Sequence, residues 1–84
     1  KNYFNSHAAD HKYSARFFLN KAADIWVLVH YEESTKTYEI ETNFDTTKFG
    51  FELKDNHWIY QKSCTDFKDI QSKLSEILSL RDVA

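Results

Sequence analysis

The sequence predicts a single domain of the α+β class, in which one antiparallel sheet packs against a C-terminal amphipathic helix. Three observations lead to this prediction. Apolar residues recur at helical spacing near the C-terminus, apolar and polar residues alternate over several central segments, and short polar stretches suited to tight turns separate those segments. We expect four to five strands in a meander, preceded by a short N-terminal helical segment.

The helix is predicted over residues 65–80. Its apolar positions fall on one side of a helical projection, and they are Phe67, Ile70, Leu74, Ile77 and Leu78. Ser63 and Thr65 are candidate N-caps, and Ser63 with Asp66 resembles a capping box. A single apolar stripe means that the helix lies on a surface that supplies the rest of the core.

A hairpin is predicted over residues 48–60. Residues 48–54 alternate between polar and apolar types, and Asp55-Asn56 suits a two-residue turn because both residues tolerate positive φ. This turn pairs Leu53 with Trp58 and Phe51 with Tyr60, so that these four side chains share one face with Phe49. Gly50 is interpreted as a bulge or a close approach of the backbone.

A second hairpin is predicted upstream, where residues 37–42 also alternate. A four-residue loop over residues 33–36 pairs Tyr31 with Tyr38 and Val29 with Ile40. The face that receives the helix then holds Val27, Val29, Tyr31, Tyr38 and Ile40.

The opposite face of these strands is the candidate interaction surface. Its residues are Trp26, Leu28, His30, Glu39 and Glu41. One helix cannot cover both faces of a sheet, and apolar groups surrounded by charge are typical of protein-binding surfaces. The alternative is that the N-terminal segment folds over this face and completes the core, because Tyr3, Phe4 and Phe18 also need burial.

Two patterns compete near the N-terminus. Residues 13–19 alternate as a strand, whereas Ala9, Tyr13 and Phe17 fit a helical ladder. We expect a helical turn near residues 5–11 and a strand over residues 13–19.

Four residues are candidates for metal binding, acid–base chemistry or thiol reactivity. His7 and His11 have the i, i+4 spacing of metal ligands on a helix, but two ligands do not make a zinc site, and we predict no metal or cofactor. His30 lies opposite Glu39, either as an acid–base pair or pH switch or, as we favour, as an imidazole satisfied by a cross-strand carboxylate. Cys64 lies where a helix begins, which can activate a thiol, but a lone cysteine is more often a small hydrophobe.

Composition excludes other classes. The net charge is −2 with no cluster of basic residues, so nucleic acid and membrane surfaces are not expected partners. The longest apolar run, Ile25–Val29, is too short to span a bilayer. The chain carries no nucleophile motif or glycine-rich phosphate loop, so we predict that it is not an enzyme.

The single Cys64 favours an intracellular, cytoplasmic location. The start at Lys1 without methionine indicates processing or a fragment of a longer protein.

The segment Trp58–Phe67, with Ile70–Leu74 after it, resembles the strand-to-helix junction of PX domains. In that family an Arg-Arg-aromatic-Ser-x-Phe motif places an arginine on a phosphoinositide phosphate. Here Lys62 and Ser63 stand at the arginine pair and Cys64 replaces the aromatic residue. The resemblance covers about a fifth of the chain, and the family's proline-rich loop is missing.

We therefore expect a non-catalytic interaction or regulatory module that acts through a sheet face or by self-association, with a protein or a second copy as its partner. One alternative is a sheet that binds single-stranded nucleic acid, with Lys48, Lys54 and Lys62 as its basic groups. Another is a PX-like phosphoinositide-binding fragment.

Overall fold

The computed structural model describes residues 12–82, which form a five-stranded antiparallel sheet and one α-helix. The strands are β1 (Lys12–Asn20), β2 (Ile25–Glu32), β3 (Thr37–Thr42), β4 (Glu52–Lys54) and β5 (His57–Ser63), and the helix is α1 (Phe67–Leu78). Short 3-10 turns cover Thr47–Phe49, Cys64–Asp66 and Ser79–Asp82. The α+β prediction is confirmed. The helical turn expected near residues 5–11 lies outside the described residues.

The strand order is β1-β2-β3-β5-β4, so the predicted meander is wrong. β4 follows β3 in the chain but does not pair with it. Instead β4 forms the edge strand, and β5 returns to lie between β3 and β4. β4 has three residues, all of them exposed, whereas β5 has seven and carries Trp58 and Tyr60. The longer and more apolar strand thus takes the internal position between β3 and β4, where both of its edges are paired and its aromatic groups meet the core.

Both predicted turns are confirmed, and so is the register that they set. Val29 pairs with Ile40 across β2 and β3, and Lys36 closes that loop with φ 54°. Asp55 and Asn56 have φ 50° and 69°, the left-handed conformation at both central positions of a type I′ turn. These short polar stretches therefore determine which residues share a face.

The strand predicted over residues 48–54 is correct only in its second half. Thr47–Phe49 forms a 3-10 turn, and Gly50 ends it with φ 92°, so Gly50 caps a turn rather than marking a bulge. Phe51 precedes β4, yet its ring stacks on that of Tyr60 with centroids 5.3 Å apart. Leu53 pairs with Trp58 as predicted, but 63% of it is exposed because α1 packs on β3 and β5 and not on the outer strand.

The core lies between α1 and one face of the sheet. Its buried apolar residues are Val27, Val29, Ile40, Phe51, Ile70 and Ile77. Thr42 is also fully buried, and its hydroxyl is satisfied by a hydrogen bond of 2.9 Å with the hydroxyl of Thr46. We call this side of the sheet the first face.

The start of the helical region follows the predicted cap in part. Ser63 Oγ accepts a hydrogen bond from the Thr65 backbone N–H at 3.3 Å, so Ser63 is the N-cap of the 3-10 turn. The capping box is wrong, because Asp66 makes no side-chain cap hydrogen bond and α1 begins at the next residue. A helix predicted over residues 65–80 is therefore α1 with a 3-10 turn at each end.

Candidate interaction surface

The second face is the side of the sheet opposite α1, and it is defined by the residues that alternate with the core positions. A central row crosses all five strands on this face, and its members in sheet order are Arg16, Leu28, Glu41, Ile59 and Glu52. Leu28 and Ile59 are half-buried and lie on either side of Glu41. The row therefore alternates charged and apolar side chains, with a cation at one end and a carboxylate at the other.

The structure places all five sequence-predicted site residues on the second face. Leu28 pairs with Glu41 in the central row, and His30 pairs with Glu39 in the next row. Trp26 lies on the other side of the central row and pairs with Phe18. The strict two-residue period of β2 and β3 is what brings these residues together.

The predicted contact between His30 and Glu39 is present. Nε2 of His30 lies 3.5 Å from Oε1 of Glu39, and each side chain is 23% exposed. The imidazole therefore has a carboxylate neighbour across the strand pair, as expected for a satisfied surface histidine. Ser14 of β1 pairs with His30 on its other side, so this row of the second face reads Ser14, His30, Glu39 and Gln61.

A second histidine–carboxylate pair was not predicted. Nδ1 of His57 lies 3.0 Å from Oε2 of Glu41, with the carboxylate side chain 20% exposed. Glu41 pairs with Ile59 in the register, so His57 reaches it diagonally from two residues earlier in β5. The two-residue period of the sequence places His57 and Ile59 on one face. It does not predict the contact with Glu41, because the diagonal reach of an imidazole depends on side-chain conformation.

The Trp26 ring is held between two neighbours that sequence reasoning missed. The guanidinium carbon of Arg16 lies 4.9 Å from the centroid of the Trp26 ring, and the His57 ring lies 5.4 Å away. Arg16 contacts Trp26 diagonally, because its direct partner on β2 is Leu28. A cation over an indole face is a favourable arrangement that also orders the ring. Arg16, Trp26, His57 and Glu41 thus form one chain of contacts across the second face.

The start of β2 is anchored by a side chain from beyond β3. The Trp26 backbone N–H donates to Oδ1 of Asn43 at 2.9 Å, and Nδ2 of Asn43 donates to the Asp24 carbonyl at 2.6 Å. These bonds satisfy the backbone on both sides of Ile25. The indole is therefore fixed at its backbone as well as at its ring.

Cys64 is the other candidate group among the residues that the structure describes. Cys64 is half-buried, and its backbone N–H donates to the Lys36 carbonyl at 2.8 Å. Across residues 12–82, no three histidine, cysteine or carboxylate side chains are grouped to hold a metal ion. His7 and His11, which have the spacing of metal ligands on a helix, lie outside the described residues.

A shallow depression of about 340 Å³ lies beside the β4–β5 hairpin, and its lining includes Lys54 and Lys62. These two lysines belong to opposite faces, since Lys54 pairs with His57 and Lys62 pairs with Tyr38. Lys48 lies in the 3-10 turn before β4. The three lysines considered for a nucleic-acid surface therefore do not form one stripe.

Comparisons with known proteins identify no relative: no protein-family model matches the chain, and no curated protein or solved structure matches it significantly. Within the part of the chain that the structure describes, no helix has the length and apolar character needed to cross a membrane.

Proposed function

We propose that this chain is a non-catalytic interaction module that binds protein through the second face. The observation that carries the proposal is the position of Trp26, Leu28 and Ile59, which are only half-buried on the side of the sheet opposite α1. Of residues 12–82, the one α-helix packs on the first face. Apolar side chains that the domain's own helix leaves partly open are the groups that a partner would bury.

The polar groups of the second face are compatible with burial by a partner. Glu39 and Glu41 each have a histidine within 3.5 Å, so their carboxylates keep a partner when water is displaced. Completing the burial of a half-exposed leucine or isoleucine gains on the order of 1 kcal/mol. Trp26 adds a large ring that is already ordered by Arg16, which lowers the entropy lost on binding.

The charge distribution favours a protein partner over nucleic acid. A phosphate-binding surface needs basic groups along one stripe, whereas Lys54 and Lys62 lie on opposite faces and the chain carries a net charge of −2. By the register, the described charged side chains of the second face are four carboxylates and two cations, namely Glu32, Glu39, Glu41 and Glu52 with Arg16 and Lys54. A surface of this kind repels a polyanion.

Adjacent residues on β2 provide the experiment. Val29 is 1% exposed on the first face, and Leu28 is half-buried on the second face. We expect Leu28→Asp to stay folded with a loss of stability of about 1 kcal/mol or less, whereas Val29→Asp buries an unpaired carboxylate and should unfold the chain. Urea unfolding followed by circular dichroism measures both variants.

The proposal fails if Leu28→Asp unfolds the chain as Val29→Asp does, because the second face would then be part of the folding core. Trp26→Glu provides an independent check on the same face. It should weaken partner binding while the chain remains folded. Loss of folding in both second-face variants would assign Trp26 to the core.

A further inference from the structure

We infer that the partner of the second face is a second copy of this chain, related by a two-fold axis that runs along β3. The inference rests on the proposed function and adds the partner and its orientation. It comes from the order of residues in the central row, which places a basic group on β1 and an acidic group on β4, at opposite edges of the sheet.

A two-fold axis along β3 exchanges the two halves of the sheet. It lays β1 of one copy over β4 of the other, and β2 over β5, while each residue keeps its level along the strands. In the central row, Arg16 of one copy then meets Glu52 of the other, and Leu28 meets Ile59. Each of these contacts occurs twice, because the interface of a two-fold dimer is isologous. Charge and apolar character therefore match at four of the five positions.

The fifth position lies on the axis. There Glu41 faces its own copy, and so does Glu39 on the same strand, which would be unfavourable for free carboxylates. Each Glu39 has His30 at 3.5 Å within its own chain. Each Glu41 already has His57 at 3.0 Å within its own chain. That imidazole stays beside the carboxylate in the single chain and in the dimer.

An axis across the strands at the level of the central row is unfavourable. An axis across the strands lays each strand on its own copy, so that Arg16 meets Arg16 and Glu52 meets Glu52. Like charges in contact across an interface disfavour that orientation. The arrangement along β3 brings opposite charges together at both edges of the sheet, with the strands of the two sheets aligned as in β-sandwiches.

The size of the second face sets the strength to be expected. Five strands spaced about 4.8 Å apart place the two edge strands about 19 Å from each other, so the covered area lies at the low end for stable interfaces. We therefore expect a weak dimer whose population rises with chain concentration. Sedimentation equilibrium of the full chain up to about 1 mM covers the range in which such a dimer forms.

Charge reversal tests the orientation. Arg16 and Glu52 are both exposed, so substitutions there leave the core intact. In Arg16→Glu two carboxylates meet at each edge contact, and in Glu52→Arg two cations meet, so each variant should dimerise at least about tenfold more weakly than the unmodified chain. An equimolar mixture of the two variants restores both opposite-charge contacts and should form a heterodimer. Lys68→Glu, an exposed position on α1, is the matched control and should leave the native mass unchanged.

Each other result overturns the inference. A chain that is monomeric up to about 1 mM has no second copy as its partner, and the folding comparison of Leu28→Asp with Val29→Asp still decides the proposed function separately. A dimer that Leu28→Asp does not dissociate uses another surface. A dimer that Leu28→Asp dissociates, but whose two charge-reversal variants fail to rescue each other, uses the second face in another orientation. A monomer that Leu28→Asp also unfolds has this face covered by its own residues.

Discussion

Oδ1 of Asn43 accepts a hydrogen bond of 2.9 Å from the backbone N–H of Trp26, 17 residues earlier in the chain. The same amide donates to the Asp24 carbonyl at 2.6 Å. Asp24 has φ 56°, so Asn43 stabilises a turn residue in the left-handed conformation as well as the first residues of β2. Asn43, which lies just beyond the end of β3, thus fixes the backbone at the start of β2, where Trp26 lies.

We expect Asn43→Ala to destabilise the chain by about 1–3 kcal/mol, because the partly buried Trp26 N–H loses its acceptor. Urea unfolding gives the value. Asn20→Ala is the matched control, since Asn20 accepts one bond, from the Ala23 N–H at 3.1 Å, in an exposed turn. Equal losses of stability in the two variants would show that the Asn43 hydrogen bonds contribute no more than the single turn hydrogen bond of Asn20.

The core contacts of α1 should respond to the loss of one methyl group. Ile70 and Ile77 are 1% and 0% exposed, so Ile70→Val and Ile77→Val should each cost about 0.5–1.5 kcal/mol. Valine is preferred to alanine because a chain of this size has few kilocalories per mole of stability to lose. Leu53→Ala is the control. With 63% of Leu53 exposed, its truncation should change the free energy of unfolding by less than about 0.5 kcal/mol. A larger loss there would place Leu53 in the core after all.

Gly50 should tolerate a side chain sterically but not conformationally. A Cβ at this position would lie 3.9 Å from Cε1 of Tyr60, an ordinary contact, whereas φ 92° disfavours any L-residue. We expect Gly50→Ala to cost about 1–2 kcal/mol and Gly50→Asn to cost less, because asparagine enters the left-handed region more readily. Thermal unfolding ranks the two variants. The reverse ranking would show that side-chain size, and not backbone conformation, limits this position.

Asp45 should contribute to the acid dependence of stability. The Thr47 hydroxyl at 2.6 Å and the Thr47 backbone N–H at 2.9 Å hold the pKa of the Asp45 carboxyl below its usual range. A lowered pKa in the folded chain means that the contribution is complete above the ordinary carboxylate pKa of about 3.9 and is lost as the pH falls through the lower, folded value. The stability difference between the unmodified chain and Asp45→Asn should therefore shrink as the pH falls from about 5 towards 2.

Thr47→Ala separates the two donors to Asp45. It removes the hydroxyl and keeps the backbone N–H, so its acid dependence should lie between that of the unmodified chain and that of Asp45→Asn. A pH-independent difference between the unmodified chain and Asp45→Asn would contradict the assignment. Urea unfolding at a series of pH values measures all three chains.

The sequence by itself determined the parts of this protein that depend on local chemistry. The 3.6-residue period located α1, the two-residue period and two polar turns set the register of β2 with β3 and of β4 with β5, and together they assigned Trp26 and Leu28 to the face opposite Ile40. These features follow from residues within a few positions of one another, so a linear pattern contains them.

Only the tertiary structure decided which strand lies beside which, and which side chains reach across. The place of β5 between β3 and β4, the exposure of Leu53 and the reach of His57 to Glu41 all depend on groups far apart in the chain. The physical reason is that strand order and diagonal contacts are set by competition for burial among whole elements, which no local period records. The central row from Arg16 to Glu52, and with it the two-fold arrangement inferred above, exists only once that order is known.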